Sequence, residues 1–166
     1  MTRMIRTLGL AALIGAGLAL SAAGQGTTIA FGGLRADPTQ PVEVTSDQLS
    51  ASQTDATVVF SGSVHVVQGE MHLSADAVTV IYKAGDKKEI DRLNAKGHVL
   101  LVSGSDAAQA DDAIYTIDTA SVEMTGNVLL TQGASTISGQ KLTVDLRSGA
   151  GIMAGRVKTV LSPGGN

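Results

Sequence analysis

An all-β fold built from stacked repeats is what this sequence predicts, and three observations carry the prediction. From Val42 onward the chain is a succession of short runs rich in Val, Thr, Ile and Leu, with apolar residues two apart. Glycines and acids recur at fixed steps along those runs. After residue 23 no window holds an apolar stripe at helical spacing. A two-residue period lines one face of a strand, whereas a helix needs a 3.6-residue period.

The chain opens on a segment outside that pattern. Arg3 and Arg6 give a positive start, Leu8 to Leu20 form an apolar run of 13 residues, and Ser21-Ala22-Ala23 supplies small residues. A helix needs ~20 residues to cross a bilayer, so residues 1–23 read as a cleaved signal peptide, with an uncleaved anchor as the alternative. The segment lacks cysteine and so offers no site for a lipid-modified amino terminus. Cleavage after Ala23 would leave 143 residues, enough for one domain with a core. Residues 24–41, rich in Gly and Thr and carrying Pro38 and Pro41, read as a flexible leading segment. The repeated domain spans 42–161, and residues 162–166, Ser-Pro-Gly-Gly-Asn, read as a disordered tail.

Composition narrows the function. There is no cysteine, so stability rests on burial and backbone pairing rather than disulfides. A formal charge of −3 argues against a nucleic-acid partner. Phe31, Phe60, Tyr82 and Tyr115 are the only aromatics, too few for the girdles of an outer-membrane barrel. The domain reads as soluble.

The strand signals follow in order: Val42-Glu43-Val44, Val64-His65-Val66, Met71-His72-Leu73, Val78-Thr79-Val80 and Leu142-Thr143-Val144. Gly62, Gly69 and Asp76 stand seven residues apart in turn, as do Gly97, Gly104 and Asp111, and Gly126, Gly133 and Gln140. From Asp47 to Gly62, Asp111 to Gly126 and Gln140 to Gly155 the step is 15. From Asp76 to Gly97 it is 21, and the six additional residues match Lys83-Ala84-Gly85-Asp86-Lys87-Lys88, a polar hairpin extension. The repeat is therefore ~29 residues long. Glycine within a strand marks a bulge, a bend or a close backbone approach. These glycines are either corners where a strand turns from one sheet into another or ordinary hairpin turns, and both give stacked antiparallel strands.

Two facing sheets, in an elongated sandwich or jelly roll, would bury alternate residues. The inward set is Val42, Val44, Val58, Phe60, Val64, Val66, Met71, Leu73, Val80, Tyr82, Leu93, Val99, Leu101, Tyr115, Ile117, Val122, Met124, Val128, Leu130, Ile137, Leu142 and Val144. The parity slips between Leu73 and Val78, which predicts a bulge near Asp76. Such a stack ends in open edges that invite another strand, at Val42 and Val44 on one side and at Val157 and Val160 on the other.

Catalytic and metal signatures are weak. Asp47, Asp76 and Asp111 form a ladder, but the fourth rung is Gln140, which keeps hydrogen bonding and loses charge; this favours a structural role at a bend. His65, His72 and His98 occupy non-equivalent repeat positions without ligand spacing, and strand parity turns them outward. No G-x-S-x-G elbow is present. Gly149-Ala150-Gly151-Ile152-Met153-Ala154-Gly155 misses the G-x-G-x-x-G spacing by one residue and has only 11 residues after it. No enzyme and no cofactor is expected, and nothing here would bind a nucleotide.

The stretches Phe60 to Tyr82, Leu93 to Asp118 and Val122 to Gly149, with the opening VEVTSDQLS from Val42 to Ser50, resemble the OstA-like family of lipopolysaccharide-transport proteins. The likeness runs from about Val42 to Val160. Its specificity lies in a combination: T-G-N-V, then T-Q-G, then a G-x-x-L-x-x-D strand. The resemblance implies an elongated antiparallel β-jelly roll with a greasy groove, in which lipid A acyl chains ride between the sheets. Candidates for that groove are Val64, Val66, Leu73, Val80, Tyr82, Val99, Leu101, Tyr115, Ile117, Val128, Leu130, Ile137 and Leu142. It also implies a periplasmic location and head-to-tail self-association. The implied partners are an inner-membrane LptC-like protein at one end and an outer-membrane LptD-like amino-terminal domain at the other. Carbohydrate and phosphate contacts are unassigned; Lys83, Lys87, Lys88 and Arg92 form the nearest basic cluster and read as solubilising a hairpin. Two rivals stand beside this reading, a membrane-anchored C component of the same system and a repeat-type polysaccharide enzyme or adhesin.

Overall fold

The computed structural model describes residues 27–30, 34, 35, 37 and 39–161; the expected signal peptide and the tail over 162–166 lie outside them. No helix occurs among the described residues. The strands are β1 (Thr27–Ala30), β2 (Glu43–Thr45), β3 (Gln48–Ser52), β4 (Thr57–Gln68), β5 (Met71–Lys83), β6 (Asp86–Ser103), β7 (Asp106–Thr116), β8 (Ser121–Gln132), β9 (Ser135–Asp145), β10 (Ala150–Ala154) and β11 (Lys158–Val160). They form one 11-stranded antiparallel sheet in the order β1-β10-β9-β8-β7-β6-β5-β4-β2, with β3 also on β4 and β11 also on β9.

One sheet makes two layers because the ladder breaks at the same level in successive strands. Register shifts fall between Ser61 and Val64, Ser74 and Ala77, Lys96 and Val99, Gln109 and Asp112, and Thr125 and Val128. Gly62-Ser63, Gly97-His98, Gly126-Asn127 and Gly155-Arg156 each place two consecutive residues in the left-handed region. The recurring glycines at these four positions are thus corners. Against each stands the repeated acid or amide: a Cβ on Gly62 would fall 2.5 Å from Oδ2 of Asp47, and one on Gly155 would fall 2.7 Å from Cβ of Gln140. Asp76 packs on Gly97 and Asp111 on Gly126 in the same way. The bulge expected near Asp76 is present, and the ladder of acids supports a corner.

Gly69, Gly104 and Gly133 do a different job. Each is the first residue of a two-residue hairpin turn with φ between +54° and +58°, as a type II′ turn requires. The six-residue insertion extends β5 and β6, whose hairpin closes through the pair Lys83 and Asp86.

The corner supports one hydrogen bond with a pH signature. Nδ1 of the exposed His98 lies 2.8 Å from Oδ2 of Asp76, and the equivalent Asn127 donates from Nδ2 to Asp111 at 2.8 Å. The hydrogen bond and then the charge of Asp76 raise the His98 pKa above its ordinary value. A pKa raised on folding contributes stability that is full below the unfolded value and lost as pH rises through the folded one. A small fall in melting temperature is therefore expected from about pH 6 to pH 8. His98→Asn, which copies the Asn127 arrangement, should flatten it. An unchanged slope in the variant would show that the pair contributes nothing.

Within residues 24–41, the structure differs from the sequence reading at the described residues 27–30 and at Leu34. Thr27–Ala30 forms β1, paired with β10 from Thr27 opposite Met153 to Ala30 opposite Ala150, and Leu34 is fully buried in the core. The physical reason is the edge of β10, whose backbone groups gain partners from any extended neighbour. Thr27-Thr28-Ile29 is β-branched throughout, and the surrounding glycines masked that propensity.

Candidate functional site

The corner divides the long strands into a first leaflet, which includes residues 64–68, 71–74, 99–103, 106–109, 128–132 and 135–139, and a second, which includes 57–61, 77–83, 90–96, 112–116, 121–125 and 141–145. Strand alternation turns one set of side chains from each leaflet toward the other. In the first leaflet Val44, Val66, Leu73, Leu101, Ala108, Leu130 and Ile137 lie side by side across neighbouring strands. In the second, one row runs Phe60, Val78, Ala95, Ala113, Met124, Leu142 and Met153, and the next runs Val58, Val80, Leu93, Tyr115, Val122 and Val144. These rows cross the strands, so the apolar interior is continuous along the long axis of the roll.

The expected groove residues fall into this interior. Val64, Val66, Leu73, Val80, Val99, Leu101, Tyr115, Val128, Leu130, Ile137 and Leu142 are buried; Tyr82 and Ile117 are half-buried and pack against the core. Of the four edge residues, Val44 lies in β2 and Val160 in β11, while Val42 and Val157 flank those strands. Val160 is 49% exposed, consistent with an edge.

Several interior residues escaped the sequence reading. Ala75, Ala95, Ala108, Ala110 and Ala113 are buried, but alanine suits either face and carries little alternation signal. Val78 was hidden by the parity slip at the corner. Three polar residues were hidden altogether. Gln68, Ser103 and Asp106 are 1%, 2% and 5% exposed. They share a row with Met71, Gln132 and Ser135 at the rim of the first leaflet, farthest from the corner.

That rim is hydrogen-bonded. Tyr115 Oη donates across the interior to Gln68 Oε1 at 2.8 Å, and Gln68 Nε2 donates to the carbonyl of Gln40 at 3.0 Å. Ser103 Oγ donates to the Arg35 carbonyl at 2.9 Å and accepts from the Arg35 amide at 3.3 Å. Gln132 Nε2 donates to Asp106 Oδ2 at 2.8 Å. Burial pushes the Tyr115 phenol up, which keeps it a neutral donor at physiological pH.

Lys83 and Arg92 of the basic hairpin are each paired. Lys83 Nζ lies 2.9 Å from Glu89 and 3.0 Å from Asp118, and the hydrogen bond to Glu89, then that to Asp118, pushes its pKa up to about 12. Arg92 stands 3.5 Å from Asp91. Among the described residues, no group of three or more His, Cys, Asp or Glu side chains is placed to hold a metal ion.

A creased antiparallel roll with a continuous apolar interior is a β-jelly roll. The chain belongs to the family described as LptA/(LptD N-terminal domain) LPS transport protein, which it matches over residues 43–150. It is 32% identical to the uncharacterised protein R00383 of Rhizobium meliloti, over 90% of this chain and 87% of that protein. It is 33% identical to the lipopolysaccharide export system protein LptA of Escherichia coli K12, a match spanning 64% of this chain and 60% of that protein. The Haemophilus influenzae protein of the same name is 27% identical over 78% of this chain and 81% of its own. Among solved structures, LptH of Pseudomonas aeruginosa, described as the LptA-homologous periplasmic component of the lipopolysaccharide transport device, superposes with a TM-score of 0.69. That match has 18% identity and covers 77% of this chain and 99% of that one, and it establishes the shared fold.

Proposed function

We propose that this protein is a periplasmic carrier of lipopolysaccharide, holding lipid A acyl chains between the two leaflets as one segment of a bridge from inner to outer membrane. One observation carries the reading: uncharged aliphatic rows run through the interior from strand to strand along the whole roll. Apolar surface removed from water contributes ~25 cal/mol per Å², so acyl chains lying along those rows would be strongly held. The names of its relatives are those of transport proteins, which favours a carrier over the polysaccharide-enzyme alternative.

The test uses the end of β7 and the turn after it: Ala113 and Tyr115 are buried and Ile117, in the turn, is half-buried, while Ile114 and Asp118 are exposed. A photo-crosslinking residue at Tyr115 or Ile117 should capture lipopolysaccharide, and one at Thr116 or Ile114 should not. Equal capture from both faces would sink the carrier reading.

The export reading makes a separate expectation. The mature protein should be recovered without detergent and begin near Gly24, as intact mass would show. Recovery of the uncut chain only from detergent-solubilised inner membrane would favour the anchored C component instead.

A further inference from the structure

We propose that Leu34, Arg35 and Gln40 act as a resident pseudo-ligand, seated on a rim site that reads the amide or ester linkage of an acylated ligand and displaced when that ligand loads. The proposal rests on the carrier reading and adds a site and a gate to it.

The segment imitates an N-acylated group. Leu34 inserts a branched hydrocarbon fully into the core. Peptide groups on either side of Asp37 present an amide N–H and two carbonyls to the rim: Arg35 N and O meet Ser103 Oγ, and Gln40 O meets Gln68 Nε2. An acyl chain joined through an amide or ester offers the same pair, an apolar tail inward and a carbonyl at the mouth. The segment is held in shape, since Asp37 Oδ1 accepts from Thr39 N at 2.9 Å and Asp37 O accepts from Gln40 N at 3.1 Å. It also lies at the opening, where Arg35, Asp37 and Gln40 share a cavity with Gly69 and Glu70 of one leaflet and Arg147 of the other.

Energetics explain why Gln68 and Ser103 are polar in an otherwise aliphatic interior. A buried polar side chain without a partner costs about 1–3 kcal/mol. Two such groups on the rim are tolerable only if something always bonds them. With the segment in place, it is the peptide backbone; with the segment displaced, the linkage oxygens of the incoming lipid take over. A ligand that must compete with a resident segment binds with an affinity reduced by the open fraction.

The test is a reversible lock. The chain has no cysteine, so Arg35→Cys with Ser103→Cys gives a single possible disulfide between the segment and the rim. Binding of purified lipopolysaccharide is measured on the same full-length preparation, oxidised and then reduced. Binding that is weaker by about tenfold or more when oxidised, and restored on reduction, is expected. Equal binding in both states would overturn the gate and leave the carrier reading intact. Folded double variant that binds in neither state, beside a wild type that binds, would overturn the gate, and a wild type that does not bind would remove both readings. Leu34→Ala needs no crosslink to form: without its plug the protein should bind lipopolysaccharide several-fold more tightly, and unchanged or weaker binding would overturn the proposal.

Discussion

Gly126→Ala is expected to lower the unfolding free energy by about 2–4 kcal/mol, against ~1 kcal/mol for Gly133→Ala. Both glycines have positive φ, +80° and +54°, so both variants incur the left-handed penalty. They differ in what a methyl group meets. At Gly133 nothing lies within 4 Å, whereas at Gly126 it would fall 2.9 Å from Cβ of Asp111 and closer still to its carboxylate. Asp111 cannot swing aside freely, because its Oδ2 accepts from Asn127 at 2.8 Å. Urea unfolding of the two variants checks the difference. Adding Asp111→Ala to Gly126→Ala should recover part of the loss, giving a coupling of about 1 kcal/mol or more. Equal costs at the two glycines would show that the corner tolerates a side chain and that the acid ladder does not constrain it.

Proline in β11 is expected to abolish end-to-end assembly at one position and to disturb folding at its neighbour. The carrier reading requires like-folded units to join through free strand edges, with β2 at one end and β11 at the other. In an antiparallel edge strand, successive N–H groups alternate between the inner partner and the free side. Thr159 and Val160 stand opposite Ile137 and Thr136 of β9, so one of the two points its N–H outward. Proline there removes a donor that only a second molecule would use. Sedimentation of the wild type should show concentration-dependent oligomers. One of Thr159→Pro and Val160→Pro should be monomeric with an unchanged melting temperature. A monomeric wild type at high concentration, or two variants that assemble normally, would refute edge pairing at this end.

The interior was legible where side chains are large and the strand parity unbroken. Val64, Leu73, Leu142 and Val144 each stand between polar neighbours and are all buried. The corner glycines were visible as a period, but two readings fitted them. The corner depends on backbone dihedrals at Gly62, Gly97, Gly126 and Gly155, and a glycine in sequence announces only that such dihedrals are allowed. Gln68 and Ser103 were illegible for a deeper reason. Apart from Tyr115 Oη on Gln68, their partners are backbone atoms of Gln40 and Arg35, at separations of 28 and 68 residues, and backbone atoms leave no trace in residue identity. Residues 27–30 failed in the opposite sense: their β propensity was present, but the edge they satisfy exists only once β10 is in place.

The four glycine corners hold φ between +75° and +80°, and each following residue holds φ between +45° and +47°. Near-equal φ at these corners means that one bend recurs along the roll, in β4, β6, β8 and after β10, as in a length of extruded channel rather than a pouch. A pouch has a deepest point where its contents come to rest. On the carrier reading, a groove built from one recurring bend would offer a hydrocarbon chain similar surroundings at each step along the axis, so that no single station traps it. Joined end to end in register, such units would extend that level path without a step, and the length of the route would be set by the number of copies rather than by the design of any one.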